Sequence, residues 1–433
     1  MSLGGLIRKS FFWANDFLHA SPIRMLYNDI DRILNTPTAG AILQRRHLDN
    51  LVDHAVKHTT YYSKYKGCAF DSFPVMNKSL LRENYELIRV EQHLVPQHKG
   101  VMHIQRTSGS TGTPLAVPQD KRKRNRRIAE LKYFGNIAGY PSHEKMTQLR
   151  IWTRWHSKPR LQSFRENIFP IDCSRIDDQM LSDLCRMIKK KRITAMWGYA
   201  SWYDKLAEFI ERNSVRLPSI KVIIAGSEML KPSTRQSLKR SLQCKVVSRY
   251  SNEEQGILGQ DRDEDDQYYL NHASYYFEFL KLDNDQKAEP GEIARIVVTD
   301  LFNYAFPMIR YDTGDTGVYM VENDQSNGFP VLSKIYGRLL DLVYDTTGTA
   351  IHPMTLARIL KNYDKINHWQ FIQKNANLYE LKLQLTEGMD TAGCVRQLKQ
   401  VFGDDAQIEI SLVNDIPVLS SGKRKPVVNE WKR

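Results

Sequence analysis

The chain has 433 residues, 41% of them hydrophobic and 26% charged, with a formal net charge of +13 at pH 7. That balance describes a globular protein with two or three domains, not a disordered or fibrous chain; no apolar run reaches the ~18–20 residues of a membrane helix, and no secretory signal is predicted. The five cysteines, at 68, 173, 185, 244 and 394, never approach C-x-x-C spacing, which argues against a zinc ribbon or a disulfide framework and fits a reducing cytoplasm.

Residues 1 to about 40 read as helical, with Leu6, Ile7, Phe11, Phe12, Trp13, Phe17 and Leu18 recurring among Arg8, Lys9 and Arg24. A helix docked on the protein's own core has this pattern, and so does an interfacial helix making peripheral contact with a membrane. The helical lead-in continues to about 90, broken at Phe73-Pro74-Val75. Val101 to Gln105 reads as a short strand that opens into Arg106-Thr107-Ser108-Gly109-Ser110-Thr111-Gly112-Thr113-Pro114. A loop so rich in Ser, Thr and Gly cannot pack a core. It can offer backbone N–H groups and hydroxyls to an anion, although the Walker lysine is absent. Lys121 to Arg127 then holds six basic residues in seven, a pattern usual for a solvated helix face and open to an anion-binding one.

From about 145 to 300 strands alternate with helices, which predicts a parallel α/β layer with ligands at the strands' carboxyl ends. Expected strands are Gln148–Trp152, Ile193–Gly198, Ile220–Gly226 and Cys244–Tyr250, with helices over 177–190, 206–210 and 232–242. From Tyr268 to Tyr319 the pattern turns to β. A β-α-β-β-α-β-like alternation fits the last hundred residues: helix 353–362, strands near 368–374 and 379–385, helix 391–402, strand 407–413. The predicted fold class is therefore α/β. A large multilayer N-terminal domain over 1–337, with a parallel sheet and a β subdomain, precedes a small α+β domain over 338–433, after a hinge.

Several stretches, in order from about residue 70 to the C-terminus, resemble the adenylate-forming superfamily of acyl-CoA synthetases. The nearest branch looks like the phenylacetate–CoA ligases and their capsular polysaccharide (CapK-like) relatives. Thr107 to Pro114 is similar to that family's phosphate loop, which implies that Thr107, Ser108, Gly109, Ser110, Thr111, Gly112 and Thr113 hold ATP phosphates. Trp197-Gly198-Tyr199-Ala200-Ser201 resembles the step lining the acyl pocket, with Ala200 where Pro is usual. Ala225-Gly226-Ser227-Glu228 resembles the adenine-side turn. By that likeness Trp197, Tyr199, Ala225 and Tyr250 face the substrate, and Gly226, Ser227, Glu228, Tyr250 and Ser251 the nucleotide. Tyr250-Ser251-Asn252-Glu253-Glu254-Gln255-Gly256 resembles Y-G-x-T-E-x-G, which places Glu254 as the Mg²⁺ carboxylate; Ser251 and Glu253 replace the usual Gly and Thr. Tyr311-Asp312-Thr313-Gly314-Asp315 resembles Y-x-T-G-D and assigns Asp315 to ribose. Gly337-Arg338 with Asp341 resembles G-R-x-D-D, with Leu340 replacing an Asp, and implies Arg338 at ribose or phosphate. Pro417 to Lys423 resembles P-x-x-x-x-G-K and makes Lys423 the adenylation lysine.

The resemblance implies ATP and Mg²⁺ as cofactors, CoA as a possible one, and no zinc, since His272 has no cysteine neighbours. The expected partners are a small carboxylic acid and an acceptor that is CoA or an amine or hydroxyl on a sugar. No nucleic-acid motif is present. A basic nucleic-acid-binding protein and an inactive scaffold of the same fold at a membrane are the alternatives.

Overall fold

The computed structural model describes residues 2–106, 115–150, 158–172, 177–227, 229–262, 267–321, 328–338, 343–348, 350–351, 353–360, 362–416 and 426–431. The chain divides into two compact units, one of residues 1–313 and 317–335, the other of 314–316 and 336–433.

The first unit opens with helices α1 (Leu3–Leu18), α2 (Pro22–Asn35), α3 (Pro37–His58), α4 (Thr60–Ser63), α5 (Lys78–Glu83) and α6 (Tyr85–Ile88). Strands β1 (His103–Arg106) and β2 (Ala116–Gln119) pair antiparallel, Arg106 opposite Ala116, around residues 107–114. The basic run lies on helix α7 (Lys121–Ile137). Next come β3 (Met146–Arg150), α8 (Arg160–Glu166), β4 (Ile168–Asp172), α9 (Asp178–Lys191), β5 (Ala195–Tyr199), α10 (Ala200–Arg212), β6 (Val222–Gly226), α11 (Pro232–Leu242) and β7 (Lys245–Asn252). The strands β8 (Gly256–Asp261), β9 (Tyr268–Leu270), β10 (Tyr275–Leu280), β11 (Ile293–Asp300), β12 (Tyr311–Val321) and β13 (Pro330–Arg338) follow. One eleven-stranded sheet joins them in the order β10-β11-β12-β13-β9-β8-β7-β6-β5-β3-β4. From β4 to β7 the neighbours are parallel, and β7, β8, β9 and β13 pair antiparallel.

The parallel half forms because its strands can be buried on both faces. Every residue of β6, Val-Ile-Ile-Ala-Gly, is buried. On one face Ile223 and Met196 pack with Leu184, Trp202, Leu206 and Leu238 from α9, α10 and α11. On the other, Val222, Ile224 and Val247 pack with Met146 and Ala138. Helix α9 starts where Asp177 accepts from the Met180 N–H at 2.8 Å, and it stops at Arg192 in the left-handed region.

The basic run corrects the solvated-face reading in part. Lys123 and Arg126 point inward and are fully buried, while Lys121 is exposed. The Lys123 ammonium sits 2.6 Å from Asp300. The Arg126 guanidinium donates to Asp29 (2.5 Å), Ser274 Oγ (2.8 Å) and Ala273 O (2.6 Å), and lies 3.9 Å over the Phe302 ring. Two of the run's six charges, a third of them, are thus internal bracing. Arg126→Ala leaves Asp29 with His47 at 3.2 Å as its remaining partner and removes the bonds to Ser274 and Ala273, and should cost about 3 kcal/mol, whereas Lys121→Ala should stay within about 0.5 kcal/mol; paired denaturant titrations check both.

His272 is likewise committed to packing. Its ring stacks on Phe329 at 4.4 Å, Nε2 donates to Pro330 O at 3.0 Å and Nδ1 faces the Gln44 amide at 3.4 Å. Burial pushes its pKa down to about 4, against a weaker upward pull from the Pro330 carbonyl. His54 and His143 are also pushed down to about 4 by burial. Between pH 6.5 and 4 the unfolded chain binds protons that the folded chain refuses, so stability is complete above that window and falls with pH inside it. His272 alone contributes roughly 3 kcal/mol, at about 1.4 kcal/mol per tenfold. A melting-temperature series from pH 7 to 4 should fall steeply, and less so for His272→Gln.

The second unit contains β14 (Val343–Tyr344), β15 (Ala350–Ile351), α12 (Pro353–Leu360), β16 (Ile366–Gln373), β17 (Leu378–Leu385), α13 (Ala392–Phe402), β18 (Gln407–Leu412) and β19 (Val427–Asn429). Four strands pair in the order β18-β17-β16-β19. Leu356, Phe371, Tyr379, Leu381, Leu398 and Phe402 form its core. The short strand β19, parallel to β16, is absent from the sequence reading.

Candidate functional site

The carboxyl edge of the parallel strands gathers the expected positions by register. Tyr199 at the end of β5 is opposite Gly226 at the end of β6, and Gly226 is opposite Arg249, the residue before Tyr250, on β7. Ser227 follows in the left-handed region, with φ of 66°. A Cβ added to Gly226 would meet nothing nearer than Arg249 O at 3.5 Å and Trp197 Nε1 at 3.7 Å, so packing within the chain does not demand glycine there. Trp197 packs against the Val222–Ile224 side and Tyr199 against the helix side; the core-filling tryptophan here is the fully buried Trp202.

The Tyr250–Gly256 stretch is a bulged antiparallel connection, because the β7–β8 register slips between Tyr250 and Ser251. Bulges re-aim side chains. The Asn252 side chain caps the turn, its Oδ1 accepting from Gln255 N at 2.9 Å. Gly256 takes φ of 132°, and a Cβ there would sit 3.1 Å from both Glu130 Oε2 and the Tyr275 hydroxyl, so only glycine suits the position.

The two adjacent glutamates have different surroundings. Glu253 is neutralised: Arg150, at the carboxyl end of β3, donates to its Oε1 at 2.5 Å and Gln105 to its Oε2 at 2.9 Å. Its backbone carbonyl accepts from Arg127 at 3.0 Å. Glu254 is 8% exposed and meets no cation among the described residues. The Tyr311 hydroxyl donates to its Oε1 at 2.8 Å, and Gln119 donates to its backbone carbonyl at 3.0 Å. Both strands flanking residues 107–114 are therefore tied to this acidic pair, β1 through Gln105 and β2 through Gln119. Tyr311 brings in a third stretch. Within that stretch Asp312 is paired with Arg295 at 2.9 Å, and Thr313 bonds Ile296 O at 2.8 Å.

Asp315 lies on β12 within the second unit, and Arg338 ends β13; of the Arg338 side chain nothing is described. Thr107, Ser108, Gly109, Ser110, Thr111, Gly112, Thr113, Glu228 and Lys423 lie outside the described residues. Sequence reasoning missed Gln105, Gln119 and Arg150. No local signal could have found them, since each is an ordinary polar residue at a strand position, distinguished only by what it touches.

Residues 343–430 match the CapK C-terminal domain. The chain is 21% identical over 426 residues to Protein CapK of Staphylococcus aureus, covering 90% of this chain and 89% of that protein. It is 20% identical over 436 residues to the phenylacetate-coenzyme A ligase of Pseudomonas putida, covering 94% and 91%. A structure of 2-hydroxyisobutyryl-CoA ligase in the postadenylation state with 2-HIB-AMP aligns over 92% of this chain and 91% of that one, with a TM-score of 0.68 at 16% identity. The O-succinylbenzoate coenzyme A synthetase of Bacillus subtilis, in complex with ATP and magnesium ion, aligns over 75% and 68%, with a TM-score of 0.56 at 16% identity. The chain has the α/β fold of these adenylate-forming ligases, and the resemblance read from its motifs is borne out.

Proposed function

We propose that this protein is an ATP- and Mg²⁺-dependent carboxylate ligase that makes an acyl-adenylate and passes the acyl group to CoA, in the cytoplasm where both are at hand. The observation that carries this is the meeting of three motif stretches at Glu254: the stem of the Ser/Thr/Gly loop, the bulged β7–β8 turn and Tyr311. The substrate carboxylate attacks the α-phosphorus of ATP, the bond to pyrophosphate breaks, and the acyl-adenylate forms. The acceptor thiol then attacks the acyl carbon and AMP leaves.

The residues present fit a magnesium site. Among the described residues only Tyr311 bonds the Glu254 carboxylate, through Oε1, which leaves Oε2 for a hard cation that prefers oxygen and keeps its waters. When bound, that ion neutralises phosphate oxygens. Loop N–H groups and hydroxyls over 107–114 follow the charge onto leaving pyrophosphate. Asp315 and Arg338 hold ribose, with Arg338 also reaching phosphate. Gly226, Ser227 and Glu228 border adenine; Trp197, Tyr199, Ala225 and Tyr250 border the acid. Lys423 supplies a mobile charge to the α-phosphate during adenylation and withdraws as the domain after the hinge near 338–341 turns.

Glu253, in place of the family's Thr, puts a second carboxylate beside the phosphates, and Arg150 cancels it. Arg150→Ala should therefore raise the KM for ATP roughly tenfold, about 1.4 kcal/mol of repulsion, and Glu253→Thr in the same chain should restore it. Steady-state kinetics of the single and double variants check the pairing.

The test of the function is pyrophosphate release from ATP over aryl, fatty, amino and uronic acids, with and without CoA. One acid class should give release, and CoA should turn the adenylate into a thioester seen by mass spectrometry. Release that needs an amine or sugar hydroxyl instead of CoA transfers the second step to that acceptor. No release with any acid refutes the reading.

A further inference from the structure

Helix α1 docks the wrong way round for a helix serving its own core. Gly5 and Asp16 are its buried residues. The Asp16 carboxylate accepts from the backbone N–H groups of Ile23 (3.0 Å) and Arg24 (2.9 Å), fixing the start of α2. The Ser2 N–H donates to Glu144 at 2.6 Å. Lys132 sits 3.6 Å over the Phe12 ring, and Arg24 3.8 Å over Trp13. Held by these polar and cation–ring contacts, the helix turns its aliphatic side outward. Leu3, Leu6, Ile7, Phe11, Phe17 and Leu18 are between 50% and 79% exposed. At 100° per residue they fall on one face, together with Ser10 and Ala14, and that face carries no charged residue.

The patch extends beyond one helix. Arg8 donates through Nε to Phe164 O on α8 at 3.0 Å, and its guanidinium lies 4.7 Å over the Phe164 ring. Phe164 and Leu161 on α8 are themselves 66% and 61% exposed. Beside this apolar surface stand Arg8, over the Phe164 ring, and Arg24, over Trp13, and α8 adds the exposed Arg160 and Arg165. The acids nearby are occupied internally: Asp16 by the α2 N–H groups, Glu166 by Lys158. Among the described residues Arg8, Arg24, Arg160 and Arg165 form no salt bridge, so their positive charge is open to an anionic surface. An apolar face with a basic rim is complementary to acyl chains beneath anionic headgroups.

We infer that α1 and α8 form the docking face by which this protein binds an anionic membrane surface, peripherally. Among the described residues no helix is long and apolar enough to cross a membrane. The contact is independent of the proposed ligase activity, since none of its residues belongs to the nucleotide or acid site.

The experiment is flotation of the full chain with vesicles of phosphatidylcholine alone and of phosphatidylcholine with phosphatidylglycerol, for the wild type and for Phe11→Glu/Leu18→Glu. Both replaced side chains are exposed, so the variant should keep the wild-type melting temperature. The wild type should float with the anionic vesicles only, lose affinity as salt rises, and exceed the variant by at least about tenfold. The inference is overturned if the wild type floats with neither vesicle, if it binds neutral and anionic vesicles alike, or if the variant binds as the wild type does. It is also overturned if light scattering shows a wild-type dimer that the variant splits, which gives the face to a second copy of the chain.

Discussion

Glu254→Gln should lower ATP–pyrophosphate exchange by about 10²–10³-fold, the cost of one preorganised electrostatic contact to a charge-shifting transition state. The substitution is nearly isosteric. The amide oxygen can still accept from the Tyr311 hydroxyl, whose present bond is 2.8 Å, and the backbone carbonyl keeps its bond from Gln119. Fold and stability should barely change, so the loss isolates the negative charge. It should appear as a displaced Mg²⁺ dependence, because a neutral amide binds a divalent cation more weakly than a carboxylate does. An exchange rate with unaltered Mg²⁺ dependence would move the metal role elsewhere. Glu253→Gln is the matched control: that carboxylate answers Arg150 at 2.5 Å, so its effect should be on ATP affinity and not on the metal profile.

Lys423→Ala should abolish measurable adenylation, a loss of at least about 10³-fold for a group that acts in the transition state, while transfer from synthetic acyl-adenylate to CoA persists. The separation follows from the chemistry. Only the first half-reaction moves charge onto pyrophosphate, and the role proposed for Lys423 belongs to that step alone. Lys425→Ala and Arg424→Ala distinguish the assigned lysine from its basic neighbours. Equal loss in both half-reactions, or a comparable loss from either neighbour, would remove the assignment.

Much of the architecture was legible because it obeys local rules. Val222 to Gly226 is apolar throughout and ends in glycine, as a strand buried on both faces does. The helices of the second unit show their period, and the pair β16–β17 falls close to the expected positions. What stayed hidden depends on partners far along the chain. Lys123 and Arg126 look like solvated charge until Asp300 and Asp29 are placed against them. Strand β19 is Val-Val-Asn in a basic tail, too short to show a period. Strand β8, Gly-Ile-Leu-Gly-Gln-Asp, is buried throughout, so it shows no alternation, and its glycines read as turns. At the site, the motif singled out Glu254 and set Glu253 in the place of a Thr; what only geometry supplied is that Arg150 holds Glu253 while Glu254 faces Tyr311.

The ties from Gln105 and Gln119 to neighbouring glutamates have a mechanical meaning. Two residues that are consecutive in the chain cannot separate, so the paired strands that bond to them cannot swing away from the acidic turn without giving up those bonds. Displacing either strand from the acidic turn would break one of these bonds, at about 1 kcal/mol each, so the three pieces are biased to move together.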